Sequence, residues 1–372
     1  MKVGIVTIYD TENMGNRLQN YALQRALSRY ADEVVTLKNK PRLESKLANL
    51  KQGSALADSV VLNRLLGKSR KAKLLRFNKK YIHISRRCYW CNDSAPDIAG
   101  EDRCDLYCAG SDQIWNPLFY RSEMFNYLGF APEKASFSDA ASFGIDQIPE
   151  EYREAVRKGL VHIRYISVRE EAGKQIVQEL TGRTDVPVLI DPTMLLTAQE
   201  WSDVLRKPAA PLPEHYQLTY FLGEVPQQRQ DAIQQTAQAA GCELIRLMDP
   251  DSPFHKIGPD EFLYLIRHAE RVYTDSFHGS VFSFLFQRPL AIFERIEASG
   301  AGMGSRLKTF ADTFHLEACI AQDDRLPAMS AQADYSAGFD ALKAERQRAF
   351  DYLDMVFSPS ESKVGKQYDY SI

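Results

Sequence analysis

Apolar residues recur along the chain in two alternating rhythms. Residues 2–8 are short, β-rich and apolar at nearly every position, the pattern of a strand covered on both faces. Residues 16–30 then place Leu18, Ala22 and Ala26 on one stripe, with Leu23 and Leu27 beside them, which is one face of a helix. Residues 33–37 return to the strand pattern. Strand, helix and strand in that order predict a βαβ unit opening a doubly wound sheet. The alternation continues with strands over 104–109, 134–141, 165–168 and 186–190 and helices over 152–162 and 171–180. Residues 206–213 carry Pro208, Pro211 and Pro213 and read as a linker. A second series follows, with strands over 218–222, 243–247, 271–274 and 290–293, helices over 227–240, 260–269 and 280–287, and a last helix over 341–357 that packs back across the linker.

The expected architecture is therefore α/β, with two Rossmann-like domains facing one another across a cleft. The N-terminal domain spans 1–205 and carries a basic helical insertion at 38–87. The C-terminal domain spans 214–335, and residues 336–372 form a closing helix and tail. A length of 372 residues is too great for one ordinary core, which agrees with two domains. Met1 to Asp10 reads as a strand and not as a signal peptide, and no run of about 18 apolar residues exists to span a membrane. A cytoplasmic location with reduced cysteines is expected.

Charge changes this picture in one place. The net charge is −3, yet residues 38–87 hold fifteen Lys or Arg against Glu44 and Asp58, a balance of +13 that leaves −16 for the rest. Val61, Leu62, Leu65 and Leu66 have helical spacing and precede Lys68, Arg70, Lys71 and Lys73, as in an amphipathic helix lying on a surface. An anionic partner fits this block: a phosphate-rich substrate, or a membrane surface contacted peripherally. The bland alternative is a solvated helical insertion. Nucleic acid is not expected.

Ligands of doubly wound sheets sit beyond the carboxyl ends of the strands, so the candidate chemistry lies in residues that follow strands. After the first strand come Asn13, Gly15, Asn16 and Gln19 at the start of a helix. Gly15 allows close backbone approach, and the helix terminus suits an anion, although Asn13 or Asn16 could equally serve only as a cap. After 104–109 comes Gly110-Ser111-Asp112-Gln113-Ile114-Trp115-Asn116. Ser111, Asp112, Gln113 and Asn116 offer groups for sugar hydroxyls, and Trp115 offers a face to cover a ring. The alternative is a turn capped by Asp112. Arg169 follows another strand and can grip a carboxylate or phosphate at two points, unless it pairs with Glu170, Glu171 or a neighbour. Asp191 reads as a turn residue. After 271–274 come Asp275, Ser276, Phe277, His278, Gly279 and Ser280. A helix N-terminus disfavours a charged imidazole until a bound phosphate reverses the field, which would make His278 an acid only when substrate is present. Cys88, Cys91, Cys104 and Cys108 have an irregular ribbon-like spacing, and a zinc site is the lesser reading beside buried thiols. No metal and no cofactor are expected.

These runs, in this order, resemble the polysaccharide pyruvyl transferase family: 13–19, 110–116, 167–170, 191–193 and 274–279, joined by Ala141-Ser142-Phe143-Gly144 and Ser305-Arg306. The resemblance implies two Rossmann-like domains similar to the GT-B glycosyltransferases. It implies transfer of pyruvate from phosphoenolpyruvate, a co-substrate, to two hydroxyls of a sugar in a polysaccharide or lipid-linked oligosaccharide. A ketal forms and phosphate leaves, as in the building of cell-envelope exopolysaccharides. His278 takes the family histidine's place as proton donor, and Asp112 is the candidate base. Arg169, Ser276, Gly279, Ser280 and Arg306 fall to the donor; Asn13, Gly15, Asn16, Gln19, Ser111, Gln113, Trp115 and Asn116 fall to the acceptor or an anion. Some members carry an arginine where this chain has Ser276, so Arg306 or the basic block would have to substitute. A nucleotide-sugar glycosyltransferase and a non-catalytic sugar-binding relative are the alternatives.

Overall fold

The computed structural model describes residues 1–8, 13–40, 70–90, 96–118, 124–296, 304–322, 326–327 and 334–358. The chain falls into two compact units, one of Met1–Leu195 with a return from Arg346, the other of Leu196–Glu345. Each is built on its own parallel sheet. Among the described residues no helix is long and apolar enough to cross a membrane.

The first unit opens with β1 (Lys2–Val6), α1 (Met14–Leu27) and β2 (Glu33–Lys40). Asn13 caps α1 by accepting the Gly15 N–H at 2.7 Å. Leu18, Leu23 and Leu27 are fully buried, and each such side chain contributes about 1.5–3 kcal/mol. α2 (Arg70–Tyr81) leads to β3 (Ile84–Trp90), which pairs in parallel with β2. β4 (Leu106–Ala109) and β5 (Ser136–Ser138) complete the order β3-β2-β1-β4-β5. α3 (Glu150–His162) and α4 (Glu171–Thr181) follow.

Two expectations are corrected here. The basic stretch is no mere insertion: its described parts are β2, the crossover helix α2 and the edge strand β3. The amphipathic positions Val61, Leu62, Leu65, Leu66 and Lys68 lie outside the described residues, as does the tail beyond 358. Residues 165–168 and 186–190 do not form strands; they make single parallel bridges, Phe137 with Tyr165, Ala141 with Val168 and Val168 with Val188. Serines contribute at 165–168. The Ser138 hydroxyl donates to the Ser167 carbonyl and accepts the Ser167 N–H, both at 2.9 Å, and the Ser167 hydroxyl returns a bond to the Ser138 carbonyl at 2.9 Å. Side-chain bonds thus take over part of the backbone bonding between Ser138 and Ser167, while the Ser138 N–H still reaches the Tyr165 carbonyl at 2.9 Å.

The second unit holds α5 (Ala198–Ser202), β6 (Tyr216–Tyr220), α6 (Gln227–Ala239), β7 (Glu243–Arg246), α7 (Pro259–His268), β8 (Arg271–Thr274), α8 (Phe277–Leu285), β9 (Leu290–Ile292) and α9 (Gly304–Thr313). Its parallel sheet has the order β7-β6-β8-β9. The units part at Leu195, upstream of the proline stretch, and Arg206 is tied within the second unit by its N–H to the Asp260 carbonyl at 3.1 Å. α10 (Ser336–Phe357) begins in the second unit and ends in the first, where Arg346 Nε donates to the Met194 carbonyl at 2.7 Å and the Tyr352 hydroxyl to the Ser138 carbonyl at 2.7 Å.

Candidate functional site

In the first sheet the strand order reverses direction between β1 and β4; in the second it reverses between β6 and β8. Crevices for ligands open at such switch points. The turn after β1 and the turn after β4 flank the first, and the turns after β6 and β8 flank the second.

At the first switch point Asp112 adopts a left-handed backbone, φ 71°, which few residues other than glycine tolerate. Its carboxylate accepts the Gln113 N–H at 2.8 Å and the Asn16 side-chain amide. Asp112, Asn16 and Ser111 join a buried network centred on Asp191. Asp191 Oδ2 accepts Arg169 Nη1 at 2.5 Å and the Ser111 hydroxyl at 3.0 Å; its Oδ1 accepts the N–H and hydroxyl of Thr193 at 3.0 and 2.7 Å. Arg169 Nη2 lies 3.7 Å from Asp112 Oδ1. Burial opposes the guanidinium charge, and the carboxylates of Asp191, Asp112 and Glu170 outweigh it, so the Arg169 pKa is raised.

Several expected binding residues are scaffold. Arg169 is buried and paired with two aspartates, so in this structure it holds Asp112 and Asp191 in place. Glu170 is not its hydrogen-bond partner: Glu170 Oε1 accepts the Ser142 hydroxyl and the Phe143 and Gly144 N–H groups at 2.9, 2.9 and 3.2 Å. Trp115 is fully buried, donates its indole N–H to the Asn126 carbonyl at 3.1 Å and stacks on Tyr127 with ring centroids 5.6 Å apart. It is core, and offers no face to a sugar. Gln19 is fully buried and donates to the Thr7 hydroxyl and the Asn16 carbonyl, both at 2.9 Å. Asn13 and Gly15 form the helix cap, and Asn116 accepts the Leu118 N–H at 3.0 Å in its own turn. Gln113 packs against Gly144, where a Cβ would stand 2.3 Å from its amide nitrogen.

At the second switch point Asp275 clasps the end of β6, accepting the Leu222 and Gly223 N–H groups at 2.7 and 2.8 Å. Thr274 donates its hydroxyl to the Tyr220 carbonyl at 2.6 Å and accepts the Ser276 N–H at 3.0 Å. Ser276 caps α8 by accepting the Gly279 N–H at 3.3 Å. His278 stands in the first turn of this helix, largely buried and edge-on to Phe277 at 5.3 Å between centroids. The Gly279 and Ser280 N–H groups, expected to hold an anion, are taken by the Ser276 hydroxyl and carbonyl, at 3.3 and 2.9 Å. The Ser280 hydroxyl also donates to the Ser276 carbonyl at 3.1 Å. Ser276, Gly279 and Ser280 therefore build the turn that presents His278.

Arg295 was not among the expected residues. Its Nη2 donates to the Asp275 carbonyl at 3.2 Å and its Nε lies 3.6 Å from Asp275 Oδ2, which brings a cation to the histidine turn. Gly223 makes room for it, since a Cβ there would meet Arg295 Cγ at 2.6 Å. The signal was present: Arg295 closely follows a strand. Arg306 is buried on α9.

Residues 13–295 match the family described as polysaccharide pyruvyl transferase, so Arg306 falls outside the matched stretch. No curated protein matches the chain. Among solved structures, the chain is similar to the UDP-GlcNAc 2-epimerase of Methanocaldococcus jannaschii at 11% identity, over 92% of this chain and 99% of that one, with a TM-score of 0.46. A putative UDP-N-acetylglucosamine 2-epimerase of Listeria monocytogenes is similar at 11% identity over 96% of each chain, TM-score 0.48. Arabidopsis thaliana UGT89C1 complexed with UDP-L-rhamnose is similar at 11% identity over 96% and 98%, TM-score 0.49.

Proposed function

The chain belongs to the polysaccharide pyruvyl transferase family, and on that premise we propose that it moves pyruvate from phosphoenolpyruvate onto two hydroxyls of a saccharide, forming a ketal and releasing phosphate. The observation that carries this reading is that the histidine motif and the aspartate motif each stand at the switch point of their own sheet.

The second unit handles the donor. His278 gives a proton, either to the methylene carbon of phosphoenolpyruvate or to the departing phosphate oxygen. Arg295 supplies positive charge for the donor's anionic groups, in place of the arginine missing at Ser276. The first unit handles the acceptor. Asp112 takes the proton of the attacking hydroxyl, held in its position by Arg169 and Asn16. Protonation of the methylene makes the adjacent carbon electrophilic, the first hydroxyl adds, phosphate leaves, and the second hydroxyl closes the ring.

Phosphate release is measured from phosphoenolpyruvate against a panel of saccharides bearing neighbouring hydroxyls. Release is expected only with an acceptor present. His278→Gln is expected to keep its melting temperature and to lose about 10²–10⁴-fold in kcat, and Asp112→Asn is expected to lose activity in the same assay. Full activity in His278→Gln would remove the histidine from the reaction. Turnover of a nucleotide sugar without turnover of phosphoenolpyruvate would replace the reading with glycosyl transfer.

A further inference from the structure

α2 is a helix without a single acidic residue: Arg70, Lys71, Lys73, Arg76, Lys79 and Lys80 all lie within its twelve positions. One face is anchored. Leu74 and Phe77 are buried, and the rings of Phe77 and Tyr81 meet Tyr21 of α1 at 6.3 and 5.8 Å between centroids. The opposite face points to solvent. Lys71, Leu75 and Lys79, four residues apart, form one exposed stripe, and Lys80 is exposed beside it. Leu75 is 47% exposed, an apolar side chain flanked on its own stripe by lysines. Among the described residues Lys71, Lys79 and Lys80 have no ion-pair partner; Lys80 lies over the Tyr81 ring at 4.6 Å.

We propose that this outer face of α2 docks on an anionic lipid bilayer. Lysines without ion-pair partners among the described residues are attracted to the negative surface, while their stems lie along it and keep the charged heads in the headgroup layer. The exposed leucine between them enters the acyl boundary. A soluble polyanion would use the lysines but gain nothing from Leu75, so the leucine selects a bilayer. The anchoring of α2 through Phe77 and Tyr81 fixes the face outward, so no rearrangement of the fold is needed. The inference stands apart from the transfer reaction, since none of these residues belongs to either switch point.

The test is co-sedimentation of the full-length protein with vesicles of phosphatidylcholine alone and of phosphatidylcholine mixed with phosphatidylglycerol. Binding is expected to the mixed vesicles only, and to weaken as salt is raised. Replacing Lys71, Lys79 and Lys80 together by Gln is expected to lower partitioning about a hundredfold, from about fivefold per lysine. Leu75→Gln is expected to lower it about tenfold. Phosphate release on a soluble acceptor should be unchanged in both variants, so failure here and failure of the transfer reaction are separately visible. Equal binding to neutral vesicles, or undiminished anionic binding in the triple variant, would overturn the proposal. Retention on dextran sulfate without any vesicle binding would also overturn it, and would assign the face to a soluble polyanion.

Discussion

Asp139 follows β5 at 1% exposure, with its N–H donated to the Ala109 carbonyl at 3.0 Å and no hydrogen-bond partner for Oδ2 among the described residues. Burial, aided by the nearby Asp191 carboxylate, pushes its pKa up to about 7. Between about pH 4, where an unfolded carboxyl titrates, and that value, the folded state keeps a proton the unfolded chain has lost. The contribution of this group to stability therefore falls as pH rises through that window and is level above it. Asp139→Asn removes the dependence, so urea unfolding should show the variant gaining on the parent by about 2–3 kcal/mol between pH 5 and pH 8. Parallel pH profiles would mean that Asp139 is ionised throughout. Which acids matter was only half legible in the sequence. Asp112 stood out because it follows a strand amid other polar groups. Asp139 and the hub role of Asp191 depend on long-range burial and on Arg169, which no local pattern encodes. Trp115 fails for the same reason, because the Asn126 carbonyl that satisfies its indole belongs to a different turn.

At the scale of elements, the β8–α8 corner was the most legible, since a strand, a cap residue and a glycine fall within nine positions. Gly279 shows what holds that corner. A Cβ there would stand 2.6 Å from Thr274 Oγ1, and Thr274 is fixed at both ends by its bonds to Tyr220 and Ser276. Alanine normally favours a helix over glycine by about 1 kcal/mol, but overpacking against an immobile neighbour costs about 1–3 kcal/mol. Gly279→Ala should therefore destabilise the protein, by a net amount up to about 2 kcal/mol, and should lower phosphate release by displacing His278. A stabilised variant would show that the corner yields. The less legible elements fail for opposite reasons. β3 carries exposed Arg86 and Arg87 and hides inside a charged block, as edge strands commonly do. Residues 165–168 and 186–190 have strand composition, yet they pair only through isolated bridges, and at 165–168 the Ser138 and Ser167 side chains take over part of the backbone bonding.

For the whole molecule, alternating rhythms in the sequence were enough to read two sheets, but not where the chain divides. Prolines at 208, 211 and 213 mark an absence of regular structure, which is not the same as a boundary; Arg206 is already bonded inside the second unit. The second crossing was legible: a last helix packing back across the linker was expected, and α10 keeps its helical periodicity through the crossing, with Leu342, Ala349, Phe350 and Leu353 all buried. Phe350 lies past the crossing and belongs to the first unit: it is fully buried, Arg29 stands 4.7 Å over its ring, and its carbonyl accepts the Tyr30 hydroxyl at 3.4 Å. Phe350→Ala should cost about 3–5 kcal/mol. Because each sheet has its own core, that loss should be local. Hydrogen exchange is expected to quicken in α1, β1 and β5 while β6 and β8 keep their protection. An equal loss of protection in both sheets would mean that the two units unfold as one cooperative block, with α10 transmitting the loss along its length.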